Sequence, residues 1–247
     1  MTKKDVVKNI VLPIGIVFIS IVFAIVFNDF GLGILTLLFG FLNAYYMAIG
    51  KWYNYLYGIA FSVTYSITSA FNGFYGFAIF TVIIYTPIQI VGLVNWFKKR
   101  ERGDVLVKSL GVKTDILLTL FIVLGSLLVG FLLGLIPTQN LPYLDAVSQI
   151  LNLSGIILSC LRLSEQWIIF LFNNIADLAI WITNCLRGGP NAQMMLVVSI
   201  MYLVMNIYGW IYWVSLERKQ KQNKFDVIQL KKESQDNQIN KNKISEE

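Results

Sequence analysis

The sequence predicts an all-α membrane protein of eight transmembrane helices: two parallel three-helix bundles joined by one linker helix, with an extra helix at the N-terminus. Three observations predict it. Uncharged stretches run too long for a soluble surface, polar and Gly/Pro breaks separate the apolar runs, and three of those runs recur as a copy later in the chain.

Of the 247 residues, 56% are apolar and 14% charged, against about 25% charged in soluble domains. No charge falls between Asp29 and Lys51, or between Lys51 and Lys98. Such stretches cannot form a polar surface, but they suit spans of about 20 apolar residues across a ~30 Å hydrocarbon core. The net charge of +6 is not a nucleic-acid footprint, because the cations cluster just outside apolar runs instead of striping one face. Cys160 and Cys185 fall in apolar segments without metal-ligand spacing and read as buried free thiols. Histidine, the commonest general base and proton relay, is absent from the sequence.

The first apolar run, 10–27, follows Lys3, Lys4 and Lys8. It is longer than a signal-peptide core, and Asn28-Asp29-Phe30 offers no small-residue cleavage site, so it reads as a retained helix. The second to fourth runs are 31–49, 52–71 and 75–97, divided by Gly50-Lys51 and Asn72-Gly73. The fifth, 115–136, ends in the Pro137 to Pro142 segment. The sixth to eighth are 144–161, 165–185 and 193–215, with Gly188-Gly189-Pro190 before the last. The corresponding units are an N-terminal helix (1–30), a first bundle (31–97), a basic loop with the linker helix (98–143), a second bundle (144–215) and a polar tail (216–247). Rich in Lys, Gln, Asn and Glu, the tail reads as solvated and without fixed structure, since it cannot bury enough apolar area to offset its ordering entropy.

Lys and Arg excess marks cytoplasmic loops. Placing both termini inside puts Lys3, Lys4, Lys8, Lys51, the Lys98–Arg102 run, Lys108, Lys113, Arg162 and the tail in the cytoplasm, and leaves Arg187 outside.

The internal repeat is the most informative feature. The fourth run carries Tyr85-x3-Gln89-x2-Gly92-x3-Trp96, and the eighth carries Tyr202-x3-Asn206-x2-Gly209-x3-Trp213. Steps of four, three and four keep these residues on one helical face. Lys51-Trp52-x2-Tyr55 and Gln166-Trp167-x2-Phe170 match as well. Two three-helix copies in the same orientation need an odd number of spans between them, and the fifth run supplies one. Parallel repeats with a substrate at mid-membrane are a transporter plan.

Polar groups inside spans are costly and mark candidate function. The seventh run is richest: Trp167, Phe170, Asn174, Asp177 and Trp181 form one stripe, with Asn173 beside it. Asp177 reads as the one carboxylate deep within a span, without a cation at its depth; it suits either a cationic solute or a hydrogen bond to a neighbouring helix. Gln89, Asn206, Tyr85 and Tyr202 sit nearer mid-membrane and suit either a site or interhelical bonding. Trp52, Trp96, Trp167 and Trp213 lie near helix ends, where interfacial belts enrich Trp. Gly130-x3-Gly134 is a packing signal. The copies differ, with Asn174 opposite Ile59 and Asp177 opposite Ser62, as an asymmetric solute would require.

Glu165-Gln166-Trp167-x2-Phe170-x3-Asn174 resembles the Trp-x2-Trp-x3-Asn signature of the PnuC family of nicotinamide riboside transporters. Pro87-x-Gln89-x2-Gly92-x3-Trp96 and Tyr208-Gly209-x3-Trp213 are similar to that family too, so the resemblance spans roughly 31–215. Phe170 departs from the signature's second Trp, keeping ring stacking but not indole hydrogen bonding. The resemblance implies a full-length SWEET-like fold and facilitated diffusion across the bacterial inner membrane, with trapping by a cytoplasmic riboside kinase. It implies no cofactor and leaves room for a homo-oligomer in the lipid bilayer. A pyridinium riboside suits aromatic faces through cation–π contacts, and its amide and hydroxyls suit Asn and Gln. Thiamine, also cationic, is the nearest alternative solute. A channel would need charged rings or a carbonyl filter, an enzyme clustered acid–base residues, and ATP coupling a Gly-x4-Gly-Lys-Ser/Thr loop; the sequence has none of these.

Overall fold

The structure is a computed structural model that describes residues 11–98 and 112–245. Among the described residues there are eight helices: α1 (Leu12–Phe27), α2 (Leu32–Ala48), α3 (Asn54–Phe71), α4 (Tyr75–Lys98), α5 (Val112–Gly134), α6 (Pro142–Leu161), α7 (Gln166–Leu186) and α8 (Ala192–Ser245). Lys3, Lys4, Lys8 and the basic loop from Lys99 to Lys108 lie outside the described residues.

Five helices, α4 to α8, are long and apolar enough to cross a membrane on their own. α1 and α2 are apolar but shorter, at 16 and 17 residues. α3 is interrupted by Ser and Thr, yet Ser62, Thr64, Ser66, Thr68 and Ser69 are all buried inside the protein, so its polar face never meets lipid. Thr64 and Thr68 return their hydroxyls to carbonyls one turn back, which satisfies them within the helix.

The helix ends follow local chemistry. Asn28 closes α1 in the left-handed conformation at φ 51°, with its N–H returning to the carbonyls of Ala24 and Ile25. Pro142 opens α6, where a missing N–H costs nothing. Within α4 the turn Thr81–Tyr85 is π-helical, just ahead of Pro87, whose ring nitrogen cannot donate to the carbonyl four residues back.

Helix packing has a two-fold pattern. α2 pairs with α3 and α8, while α6 pairs with α7 and α4, so the first helix of each copy meets the last helix of the other. α1 lies on α2 as α5 lies on α6. The helix that the sequence sets apart as an extra one therefore stands to the first bundle as the linker helix stands to the second. The outer face of α5, including Leu117, Leu120, Leu124 and Leu128, is exposed and apolar, as a lipid-facing surface must be.

α8 departs from expectation. Its helix runs to Ser245, through the tail expected to lack fixed structure. No Gly or Pro follows Gly209, and Lys, Gln and Glu are good helix formers, so nothing in the tail terminates a helix already propagated through the apolar span.

Candidate substrate cavity

Six helices, α2, α3, α4, α6, α7 and α8, contribute to a cavity between the two bundles. Phe170, Asn173, Asn174 and Asp177 line it from α7, Gln89 from α4, and Tyr202 and Asn206 from α8. Seven of the nine expected site residues thus converge. They do so because steps of three and four along α7 turn those side chains toward the other bundle, leaving Phe172 and Ile175 exposed on the outer face.

Trp167 and Tyr85 are not among the lining residues. Trp167 is buried behind Phe170, packed edge-on against Trp213 at 5.6 Å and against Gly209, where a Cβ would collide with its ring. The Tyr85 hydroxyl is taken up by Gln149 of α6, donating toward its backbone carbonyl at 2.7 Å and side-chain Oε1 at 2.8 Å. Its repeat counterpart Tyr202 does face the cavity, donating to Asn43 Oδ1 at 2.9 Å.

Sequence reasoning missed Asn43, Asn54, Tyr55, Asn152 and Ser199, which also line the cavity. A signal existed for two of them: Leu42-Asn43 on α2 and Leu151-Asn152 on α6 place a Leu-Asn pair on the first helix of each copy.

The polar groups of the cavity are only partly satisfied. Asn43 Nδ2 donates to the Asn54 carbonyl at 2.9 Å, and Gln89 Nε2 donates to Ser62 Oγ at 2.9 Å. Asp177 is half-buried and accepts from the Ser148 hydroxyl and from Asn173 Nδ2 at 3.1 Å. Gln89 Oε1, Asn174 Nδ2 and both amide atoms of Asn206 are buried with no hydrogen-bond partner in the protein. Leaving such a group unpaired costs about 1–3 kcal/mol, so four of them around one cavity leave two donors and two acceptors for a polar solute. Tyr55, Phe61, Tyr65, Phe77 and Phe170 supply aromatic faces.

One further expectation is corrected. Trp96, Trp167 and Trp213 do not form an interfacial belt: they are 3%, 1% and 0% exposed and pack together with Met47, Ala48, Tyr55 and Phe170 at one end of the cavity. Trp96 Nε1 donates to the Ser159 carbonyl and Trp213 Nε1 to the Ala48 carbonyl, each tying one bundle to the other. A second carboxylate, Asp145 in the first turn of α6 and so at the edge of its span, is fully buried. It accepts from the Gly76 N–H at 3.0 Å, Gln139 Nε2 at 2.8 Å and Gln149 Nε2 at 2.8 Å. Phe74 provides no side-chain cap for α4, so Asp145 and Gln139, which accepts from the Tyr75 N–H at 2.9 Å, cap it from outside.

A bundle of apolar helices with a repeat, enclosing a polar and aromatic cavity at the join of its halves, defines a membrane transporter for a small polar solute. The chain belongs to the nicotinamide mononucleotide transporter family, whose sequence model matches residues 31–215. It is 29% identical over 202 residues to the nicotinamide riboside transporter PnuC of Neisseria mucosa, covering 78% of this chain and 76% of that one. To the nicotinamide riboside transporter PnuC of Haemophilus influenzae it is 26% identical over 195 residues, covering 77% and 82%. The fold is similar to a crystal structure described as the vitamin B3 transporter PnuC, with a TM-score of 0.73 and 26% identity over 85% of this chain and 91% of that one. The PnuC resemblance drawn from the Trp167 to Asn174 motif is borne out.

Proposed function

We propose that this protein takes up nicotinamide riboside across a bacterial inner membrane by facilitated diffusion. The observation that carries the reading is the set of unpaired amide atoms on Gln89, Asn174 and Asn206 around a cavity that also holds a carboxylate and aromatic rings. The riboside carries groups to meet each: a carboxamide, ribose hydroxyls and a pyridinium charge. Phe170, backed by Trp167, faces the ring; Asn174, Gln89 and Asn206 hydrogen-bond the amide and ribose; Asp177, held by Asn173, supplies negative potential. Tyr202 holds Asn43 at the cavity wall, and Tyr85 fixes α4 to α6.

Both termini face the cytoplasm, so the end where α3 turns into α4 is external. Transport runs down the substrate gradient, and phosphorylation by a cytoplasmic riboside kinase keeps it running inward. The apolar face of α5 is open to lipid or to a second copy of the chain.

Uptake of labelled nicotinamide riboside into proteoliposomes, with unlabelled thiamine and riboflavin as competitors, tests the reading. Saturable uptake blocked by excess riboside but not by the two vitamins is expected. Stronger competition by thiamine would transfer the assignment to that solute.

A further inference from the structure

We propose that Gly58 of α3 is a positioning residue of the cavity, setting the place and direction of the Gln89 side chain and through it the hydrogen bond that Gln89 offers to a solute. The proposal rests on the cavity being the substrate site.

Gly58 lines the cavity between Asn43 of α2 and Gln89 of α4. A Cβ at position 58 would stand 2.7 Å from Gln89 Oε1 and 2.8 Å from Asn43 Nδ2. Both distances are inside van der Waals contact, so two amide side chains from different helices lie directly on the α3 backbone. Only glycine gives that clearance. The atoms in the way are side-chain ends and not backbone, so an added methyl group would displace the amides before it displaced the helices. Gln89 has little freedom to yield without loss. Its Nε2 is bonded to Ser62 Oγ, one turn along α3 from Gly58, and its buried Oε1 has no partner in the protein. Asn43 is held at both ends, by the Asn54 carbonyl and the Tyr202 hydroxyl.

The internal repeat supplies an independent argument. Pairing Trp52 with Trp167 sets Gly58 opposite Asn173, and the fourth and eighth helices set Gln89 opposite Asn206. In the first copy the smallest residue accompanies the longer amide; in the second a larger residue accompanies the shorter amide. Asn173 fills its own position and bonds Asp177 and Ser148, and the Asn206 amide has no protein partner at either end. The two halves therefore present different groups to a solute at equivalent places. Glycine at 58 is what allows the longer reach of Gln89 to Ser62.

The test is calorimetric titration of purified full-length protein with nicotinamide riboside, for wild type, Gly58→Ala, Gln89→Asn and the double variant, with thermal melts of each. Gly58→Ala is expected to weaken binding about tenfold or more, the loss of one well-made hydrogen bond. In the Gln89→Asn background, where the shorter amide withdraws from position 58 and the added methyl meets Asn43 alone, the same substitution is expected to cost several-fold less affinity than it does in the wild-type background. Equal losses in both backgrounds would overturn the proposal, as would wild-type affinity in Gly58→Ala. Failure of Gly58→Ala to fold in both backgrounds would also overturn it, by assigning Gly58 to helix packing. Absence of riboside binding by the wild type would instead count against the substrate assignment.

Discussion

Trp181 of α7 donates its indole N–H to the hydroxyl of Tyr65 on α3, joining the two bundles at the end of the cavity opposite Trp96, Trp167 and Trp213. The rings meet edge to face at 5.7 Å and 71°, and Phe74 closes on the other side of Trp181 at 5.6 Å. Trp181 is fully buried, so its N–H has no alternative partner in water.

Removal of that hydroxyl has a defined consequence. Tyr65→Phe keeps the ring packing but leaves the Trp181 N–H unpaired, and should destabilise the protein by about 1 kcal/mol, the scale of polar contacts between membrane helices. A lowered melting temperature in detergent checks this. An unchanged melt would mean that the rings alone hold this contact.

Asp145 stabilises the start of α4 from a different helix. All three groups around it are donors, the Gly76 N–H and the amides of Gln139 and Gln149. Asp145→Asn replaces one acceptor by an NH2 facing a donor, and should cost about 1–3 kcal/mol of stability. Asp145→Ala should cost more, because it leaves all three donors unpaired. Denaturation of the two variants in detergent, compared with wild type, measures the order.

These two residues show what the sequence could and could not convey. Helix number and the repeat were legible because membrane spans are set by length and hydropathy, which are local, and because the Gln89 and Asn206 faces share their spacing. Asp145 carries no such signal, because it stands at the edge of an apolar run, where a carboxylate ordinarily meets water. Its burial goes with the Gly76 N–H at the start of α4, which only the fold brings to it, and with the amides of Gln139 and Gln149. The Trp residues differ from the expected belt for a related reason. Nearness to a helix end is visible in sequence, but whether Trp213 points to lipid or to the Ala48 carbonyl depends on the neighbouring helix. The Asp177 stripe was legible, since one residue's neighbours on its own helix are fixed by periodicity. Ser148, its partner on α6, was not.

The orientation can be tested with cysteine labelling. Thr138, in the α5–α6 loop, is exposed, whereas neighbouring Gln139 is occupied with the Tyr75 N–H and Asp145. In a background with Cys160 and Cys185 replaced, Thr138→Cys should react with an impermeant maleimide in intact cells, and Ser109→Cys should react only after lysis. The reverse pattern would invert the topology.

Phosphorylated solutes should be excluded. The cavity wall holds Asp177 and no Lys or Arg among the described residues, so a mononucleotide's phosphate would be buried beside a carboxylate without a counter-charge. Nicotinamide mononucleotide should therefore fail to displace bound nicotinamide riboside at a hundredfold excess. Displacement at equimolar concentration would show that a cation outside the described wall reaches the site.

Asp177 separates charge from geometry. It is anchored by Ser148 and Asn173, so the carboxylate has a structural role, and the question is whether it has an electrostatic one as well. Asp177→Asn keeps the shape and one acceptor oxygen, and removes the negative charge. At an effective dielectric near 20, unit charges about 5 Å apart interact by about 3 kcal/mol, and tenfold in affinity corresponds to about 1.4 kcal/mol. If the carboxylate attracts the pyridinium ring, Asp177→Asn should bind nicotinamide riboside at least about tenfold more weakly. It should bind an uncharged benzamide riboside of the same shape as the wild type does. Equal weakening for both ligands would confine Asp177 to holding Asn173 and Ser148 in place, and unchanged binding of both would remove it from the site.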